Sequence, residues 1–220
     1  MQLVICAATQ IELEQIQSND VLKFSKEQQN LSIYFALHGV GLLHSAVGIA
    51  EICLLQKPDL IVQVGIAGSF IGDYSIGSTV LVADEVLGDM GVQENNSWKD
   101  LFDLGLMNDT NDIYQYKKLS NPYIHDYQFL GMPNTHGVTV NQISTDKATI
   151  NLLRNEYNGD IESMEGAALH YTCLKYKIPF LQMRGISNMV GDRNKDNWNI
   201  PLALASVQTN ILKLVEQLSK

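Results

Sequence analysis

The sequence predicts an α/β fold with a largely parallel sheet, and three observations lead there. Strand-like and helix-like stretches alternate along most of its 220 residues, the pattern that lays helices over a parallel sheet. Key strand-like stretches are short continuous apolar runs, as strands covered on both faces require. Glycine and proline punctuate the boundaries, and polar side chains gather beyond several of the apolar runs.

In order, "LVICAA" (3 to 8) reads as a doubly buried strand, and "LSIYFALHGVG" (31 to 41) as a strand running into a glycine-rich turn. Residues 42 to 56 form a helix that Lys57-Pro58 stops, because proline lacks the N–H a helix needs and pushes the preceding residue out of helical conformation. The strand "DLIVQVG" (59 to 65) completes a strand, helix, strand unit. A further strand lies within "GSTVLVADEVL" (77 to 87), and "DIESMEGAALHYTCLKYKIPFLQMRGISN" (160 to 188) holds strand, helix and strand again. Apolar residues at helical spacing mark the last helix, from Ile200 to about Leu218. Between 88 and 135 no clean period survives, and long irregular stretches in compact domains are often functional loops. No repeat or linker divides the chain, so one domain over 1 to 220 is expected.

Composition narrows the function. A chain of this length that is 45% hydrophobic can bury one sizeable core. A net charge of -9 with no basic stripe argues against a nucleic-acid partner, since neutralising phosphates takes clustered lysine and arginine. Cys6, Cys53 and Cys173 are odd in number, far apart and set in apolar segments, which suits reduced core thiols. Neither they nor His38, His44, His125, His136 and His170 show metal-ligand spacing, and no metal is expected. The start "MQLVICAATQIELEQI" lacks a basic leader and reaches Glu12 and Glu14 too soon for a signal peptide. No apolar run approaches a membrane span, so a cytoplasmic location is expected.

In open α/β sheets ligands collect beyond the carboxyl ends of the strands. Those positions here are Thr9 to Glu12, "HGVG" (38 to 41), "GIAG" (65 to 68), "NQIS" (141 to 144), "SMEG" (163 to 166) and "RGISN" (184 to 188). Glycine lets backbone approach a ligand closely, while the other positions supply carboxylates, a guanidinium and an amide. Each has an ordinary reading as well. Glycine at a strand end usually makes a turn. Glu12 fits a solvated first-turn helix residue, favoured there by the helix dipole. Arg184 and Asn188 fit a core-spanning ion pair and a C-terminal cap. Glu165 is less easily dismissed, because beside Met164 and the small residues Gly166-Ala167-Ala168 a carboxylate needs a partner.

With "GVG", "GIAG", "SMEGAA" and "RGISN" in this order, the chain resembles the purine nucleoside phosphorylase and nucleosidase superfamily, from Met1 to the final helix. Within it the likeness is to nucleosidases related to methylthioadenosine/S-adenosylhomocysteine nucleosidase. Two segments, "DMGVQENNSWKDLFDLGL" (89 to 106) and "ISNMVGDRNKDNWNIPLA" (186 to 203), look like the futalosine hydrolase branch. The resemblance implies a three-layer α/β/α fold with a twisted mixed central sheet, usually as a homodimer. It also implies that water cleaves the N-glycosidic bond of a small nucleoside, without metal or organic cofactor. For that branch the substrate is futalosine, split into hypoxanthine and dehypoxanthine futalosine in the alternative menaquinone pathway.

Residue by residue, the resemblance assigns Glu12 to activation of the water and Glu165 to the ribose hydroxyls, with Met164 packed on the sugar. Arg184 orients groups around the water and Glu12. Ala67 and Gly68 line the sugar and base, and Ser187 stands beside Asn188 on the same wall. Asn141 to Ile143 lie in the loop that covers the purine, which here lacks the phenylalanine of the adenine-specific pattern. Ile66 stands where some relatives carry serine.

The chemistry suits these residue types. Breaking the bond builds positive charge on the sugar and negative charge on the base, so a carboxylate near the ribose and a positioned general base both help. Phosphorylases of the superfamily bind phosphate with an arginine near the first strand exit, where "ATQIELE" offers acid, and this favours water as nucleophile. Adenine-specific relatives carry aspartic acid where this chain has Asn188. An amide can donate to a 6-oxo group while its carbonyl accepts the N7 proton, which fits hypoxanthine. Futalosine also has an arm ending in a carboxylated aromatic ring. Trp98, Phe102, Leu104 and Trp198 could offer it apolar surface, and Lys99 or Arg193 a cation; equally, Trp98 and Phe102 could anchor a dimer contact.

Overall fold

The computed structural model describes residues 1–17, 21, 30–70, 72, 74–95 and 97–220. Its strands are β1 (Gln2–Ala7), β2 (Ser32–Leu37), β3 (Leu60–Ser69), β4 (Thr79–Leu87), β5 (Gly91–Glu94), β6 (Ser97–Asp100), β7 (Leu119–Ser120), β8 (Asn134–Thr139), β9 (Ile161–Ser163) and β10 (Phe180–Met189). The α-helices are α1 (Gln10–Ile16), α2 (Gly41–Glu51), α3 (Lys147–Asn155), α4 (Gly166–Tyr176) and α5 (Ile200–Leu218).

The sheet is mixed and twisted back on itself. β1 runs parallel to β2 and β3, β3 parallel to β10, and β8 parallel to β4 and β9, while β10–β4 and β3–β9 are antiparallel. Because β3 bonds both β10 and β9, the strands β3, β10, β4, β8 and β9 close into a small barrel, and β1 and β2 extend from it as an open wing. One face packs Leu3, Ile5, Leu181 and Met183 against Leu13 and Ile16 of α1 and Val207, Ile211 and Leu214 of α5. The other packs Val4, Cys6, Ile61 and Phe180 against Ile49 of α2 and Ala168, Leu169 and Cys173 of α4. These are the three layers, and apolar side chains on both faces of β1, β3 and β10 are why their sequences read as continuous runs.

Local signals explain the helix boundaries. Thr9 caps α1 through a reciprocal capping box with Glu12. The 42 to 56 helix ends in one wider π turn, Ile52–Gln56, before Lys57 turns left-handed ahead of Pro58. Asn199 caps α5 by accepting from the Leu202 N–H at 3.1 Å.

The expected strand ends at "GIAG" and "RGISN" need correcting, because both motifs lie inside strands. β3 runs on to Ser69 and β10 to Met189, paired along their length with Arg184 opposite Gly65, Ile186 opposite Ala67 and Asn188 opposite Gly68. Each supplies the other's backbone partners, so the ladder continues through the glycines. Between 88 and 135, β5 and β6 form a separate hairpin, β7 adds to β4, and Ile124–Leu130 is a 3₁₀ segment; residue 96 lies outside the described residues. Among the described residues no helix is long and apolar enough to cross a membrane.

Candidate active site

The site forms where β3 changes neighbours. Its first half, up to Gln63, pairs with β1, and its end, from Gly68, pairs with β9. Between them Ile66 has no strand beside it on that edge among the described residues, and its N–H donates instead to Glu12 Oε1 at 3.3 Å. Glu12 is therefore not a solvated helix residue. It is only 8% exposed, with Oε2 accepting from the Thr9 N–H at 3.0 Å and the Thr9 hydroxyl at 2.8 Å. The capping box orients the carboxylate, and the open stretch of β3 holds its other oxygen.

Gly65 is glycine because two polar groups meet over it. A Cβ at this position would stand 2.6 Å from Arg184 Nη1 and 2.9 Å from Glu12 Oε1. Arg184, the largest fully buried side chain among the described residues, crosses beneath the cleft. Its Nη2 donates to Gln63 Oε1 at 2.8 Å and its Nη1 to the Ile66 carbonyl at 3.4 Å, with Glu165 Oε2 at 3.5 Å. The other Glu165 oxygen accepts from the Gly41 N–H at 3.2 Å. The partner that a buried Glu165 required is thus Arg184, with the "HGVG" turn completing its shell. Pairing the two offsets the cost of burying each charge.

A β-bulge shapes the opposite wall. The β10 register slips between Ile186 and Asn188, leaving Ser187 as the extra residue, so that adjacent side chains Ser187 and Asn188 both line the cleft. The Ser187 hydroxyl reaches the Ala67 carbonyl at 3.3 Å and donates to Asn188 Oδ1 at 2.8 Å, and Asn188 Nδ2 donates to the Met189 carbonyl at 2.9 Å.

The cleft brings together Glu12, Ala67, Gly68, Ile143, Met164, Glu165, Ser187 and Asn188, with Arg184 directly underneath. Arg193 and Trp198 also line it, the guanidinium 5.4 Å from the indole centroid. Other expected residues lie elsewhere. Asn141 bonds Asp89 through its N–H at 2.6 Å and its side chain at 3.2 Å. On the β5–β6 hairpin, Lys99 pairs with Glu94 at 3.5 Å, and Trp98 donates to the Tyr157 hydroxyl at 2.7 Å beside a neighbouring pocket that shares Ile143. Phe102 packs edge-on to Tyr114, and Leu104 is partly exposed.

Of the cleft residues that escaped sequence reasoning, Glu162 stands out. Glu162 sits opposite Gly68 on β9, as Asn188 does on β10, so the three share one row of the sheet. Its Oε1 accepts from the Ser144 N–H at 3.1 Å, its Oε2 has no hydrogen-bond partner among the described residues, and burial pushes its carboxyl above the usual range. The available signal was a second acid in "ESME", two residues before Met164.

Comparisons with known proteins agree with this architecture. Futalosine hydrolase of Thermus thermophilus is 25% identical over 186 residues, covering 81% of this chain and 79% of that protein. A 5'-methylthioadenosine/S-adenosylhomocysteine nucleosidase of Halalkalibacterium halodurans is 23% identical over 80% of this chain and 76% of its own. The structure of a futalosine hydrolase mutant of Helicobacter pylori superposes with a TM-score of 0.80 over 99% of both chains at 16% identity, a likeness of fold. The sequence model described as the Phosphorylase superfamily matches residues 7–220, and the chain belongs to that superfamily.

Proposed function

We propose that this chain is a single-domain purine nucleosidase that cleaves futalosine with water, releasing hypoxanthine and leaving dehypoxanthine futalosine in the alternative menaquinone pathway. The observation that carries the reading is the fixed orientation of the Asn188 amide. A carbonyl facing Nδ2 and a hydroxyl donating to Oδ1 leave one N–H and one lone pair for a ligand. A 6-oxopurine uses both, accepting at O6 and presenting the N7 proton gained as the base leaves. Adenine would set its 6-amino group against the amide donor. Glu162 supports the same choice, because an oxopurine carries an N1–H for its free oxygen to accept and adenine does not.

In this reading Glu12 takes a proton from the attacking water, a contribution of ~100- to 10,000-fold for a well-placed base. Glu165 binds the ribose hydroxyls and favours the cationic sugar, Met164 packs on its face, and Arg184 fixes Glu165 relative to Glu12. Ala67 and Gly68 give backbone approach to sugar and base, with Ile143 covering the purine. The arm of the substrate leaves past Trp198, with Arg193 meeting its carboxylate; both line the cleft, whereas Trp98 and Lys99 do not. The likeness to futalosine hydrolases over most of the chain supports the substrate, and the acidic first loop supports water over phosphate.

The enzyme acts in the cytoplasm as a homodimer. Exposed Leu43, Val47, Leu54 and Leu55 along α2 and the π turn after it support such an interface. Sedimentation at micromolar concentration checks it.

A second reading is methylthioadenosine/S-adenosylhomocysteine nucleosidase, favoured by a likeness of similar extent and disfavoured by Asn188. Incubating the protein with futalosine, inosine and methylthioadenosine, with and without phosphate, and separating the free bases tests both. Hypoxanthine from futalosine without phosphate is expected. Adenine alone would establish the second reading, and strict phosphate dependence would make the chain a phosphorylase.

A further inference from the structure

Beneath the cleft a chain of hydrogen bonds runs on from Arg184 into the interior. Gln63 Oε1 accepts from Arg184, and Gln63 Nε2 lies 3.2 Å from His38 Nε2. His38 Nδ1 lies 2.6 Å from Ser45 Oγ and 3.0 Å from the Gly39 carbonyl, to which Ser45 Oγ also donates at 3.0 Å. Gln63 and Ser45 are fully buried and His38 nearly so. Two residues beyond Gly39, Gly41 donates to Glu165, which pairs with Arg184. The contacts therefore close into a ring through Arg184, Gln63, His38, the "HGVG" turn and Glu165.

Every proton in this ring is assigned by what each group can do. Arginine only donates, so Gln63 presents its oxygen to Arg184 and its NH₂ to His38. His38 Nε2 must then accept and carries no proton. From the other end, the Ser45 hydrogen lies on the Gly39 carbonyl, so Nδ1 meets a serine lone pair and a carbonyl oxygen, both acceptors. The two ends agree on a neutral imidazole with its proton on Nδ1. Burial, then the charge of Arg184, pushes His38 down to about 4, which preserves the neutral form.

We infer that His38 is a positioning residue that, through Gln63, holds the Arg184 guanidinium beneath Glu165 and Glu12; this rests on the nucleosidase reading. Without the acceptor at His38 Nε2, the buried Gln63 amide keeps only its bond from Arg184 and its NH₂ loses the partner that anchors it. An amide that shifts to find another partner for its NH₂ no longer presents its oxygen squarely to Nη2, and the guanidinium loses that hold. His38 touches no substrate, so its effect passes through Arg184 and falls more on the rate than on binding.

Two measurements on the full-length protein decide this. In wild type labelled with ¹⁵N-histidine, the His38 ring should show a protonated Nδ1 and a bare Nε2 at neutral pH. In steady-state base release, His38→Leu should lose ~10- to 100-fold in kcat with KM within about threefold, the scale expected when a catalytic group shifts by up to ~1 Å. His38→Gln, whose side-chain carbonyl can reach the position of Nε2 and does not titrate, should recover most of that loss. A proton on Nε2, or a folded His38→Leu with wild-type kcat, overturns the inference while leaving the nucleosidase reading intact. If His38→Leu does not fold, the tautomer and the His38→Gln rate still decide. Wild-type protein that releases no base from any nucleoside removes the reading and this role together.

Discussion

Adding one methyl group at Gly65 tests the geometry of the site more sharply than deleting a functional group. The new Cβ would lie 2.6 Å from Arg184 Nη1 and 2.9 Å from Glu12 Oε1. Ordinary contact begins near 3.4 Å, so the guanidinium must retreat by about 0.8 Å. It has little room, being 1% exposed and tied to Gln63 and Glu165. Overpacking of this kind costs ~1–3 kcal/mol, which lowers the melting temperature of a chain this size by roughly 2 to 12 °C. The effect on rate is larger, on the order of 100-fold, because reacting groups tolerate little misplacement. Gly65→Ala should be melted by circular dichroism, then assayed for base release at a temperature where it remains folded. A lower melting temperature with kcat within threefold of wild type would refute the claim that Arg184 and Glu12 must be held at this spacing. If neither quantity changes, the close approach over Gly65 is itself wrong.

Three further outcomes follow from other parts of the molecule. Glu12→Gln keeps a side chain that the capping box accepts, so the protein should fold and bind hypoxanthine within a few-fold of wild type while hydrolysis falls by ~100- to 10,000-fold; single-turnover assays and calorimetry check it, and near-normal hydrolysis removes Glu12 from its role. Asn188→Asp strips the donor facing the Met189 carbonyl and any 6-oxo group, so the ratio of hypoxanthine to adenine release should fall at least about tenfold, and equal losses on both bases would mean that residue 188 does not read the base. Glu85, fully buried and hydrogen-bonded by Gln182 and Thr139, is pushed by burial to about 7. The folded state there holds a proton that the unfolded chain has lost above its ordinary carboxylate range, so the share of stability due to Glu85 should fall as pH rises from about 4.5 to about 7 and then level off, while His38 and His170, which burial pushes down to about 4, contribute the opposite slope. Urea unfolding of wild type and Glu85→Gln at pH 5, 6 and 7 isolates that share, and wild type should lose stability relative to the variant as pH rises.

The fold was legible wherever one element dominates its own surroundings. Apolar runs such as Val4-Ile5-Cys6 and the spacing of Leu204, Val207, Ile211 and Leu214 report burial directly, because solvent exclusion acts residue by residue. The ends of β3 and β10 were not legible, since nothing local says that Gly65 and Arg184 will pair across the sheet and carry both strands past their glycines. The bulge at Ser187 is likewise a property of two strands and not of one. For Glu12 and Glu165, residue type and neighbours pointed to the cleft, but their partners lie far away in sequence. Glu162 was missed because an acid before a glycine-containing turn is ordinary until its row mates Gly68 and Asn188 are known. His38 drew attention only as a possible ligand, and its position beneath Gln63 follows from three strands lying side by side.

The pairing of β3 with β10 also sets when the protein can first act. Groups on this seam are separated by about 120 residues along the chain, as in the Arg184 contacts to Gln63 and Ile66. Such a contact pays the full loop-closure cost before it gains anything, so it belongs to the late part of folding. A chain leaving the ribosome holds Glu12 and Gly65 early, yet has no Arg184 guanidinium to set beside them until about 120 further residues have emerged. Partly made or partly folded chains should therefore be catalytically silent even when much of the open wing is in place. In a refolding experiment, return of base release should trail the return of helical signal, making turnover a clock for the closing of the barrel.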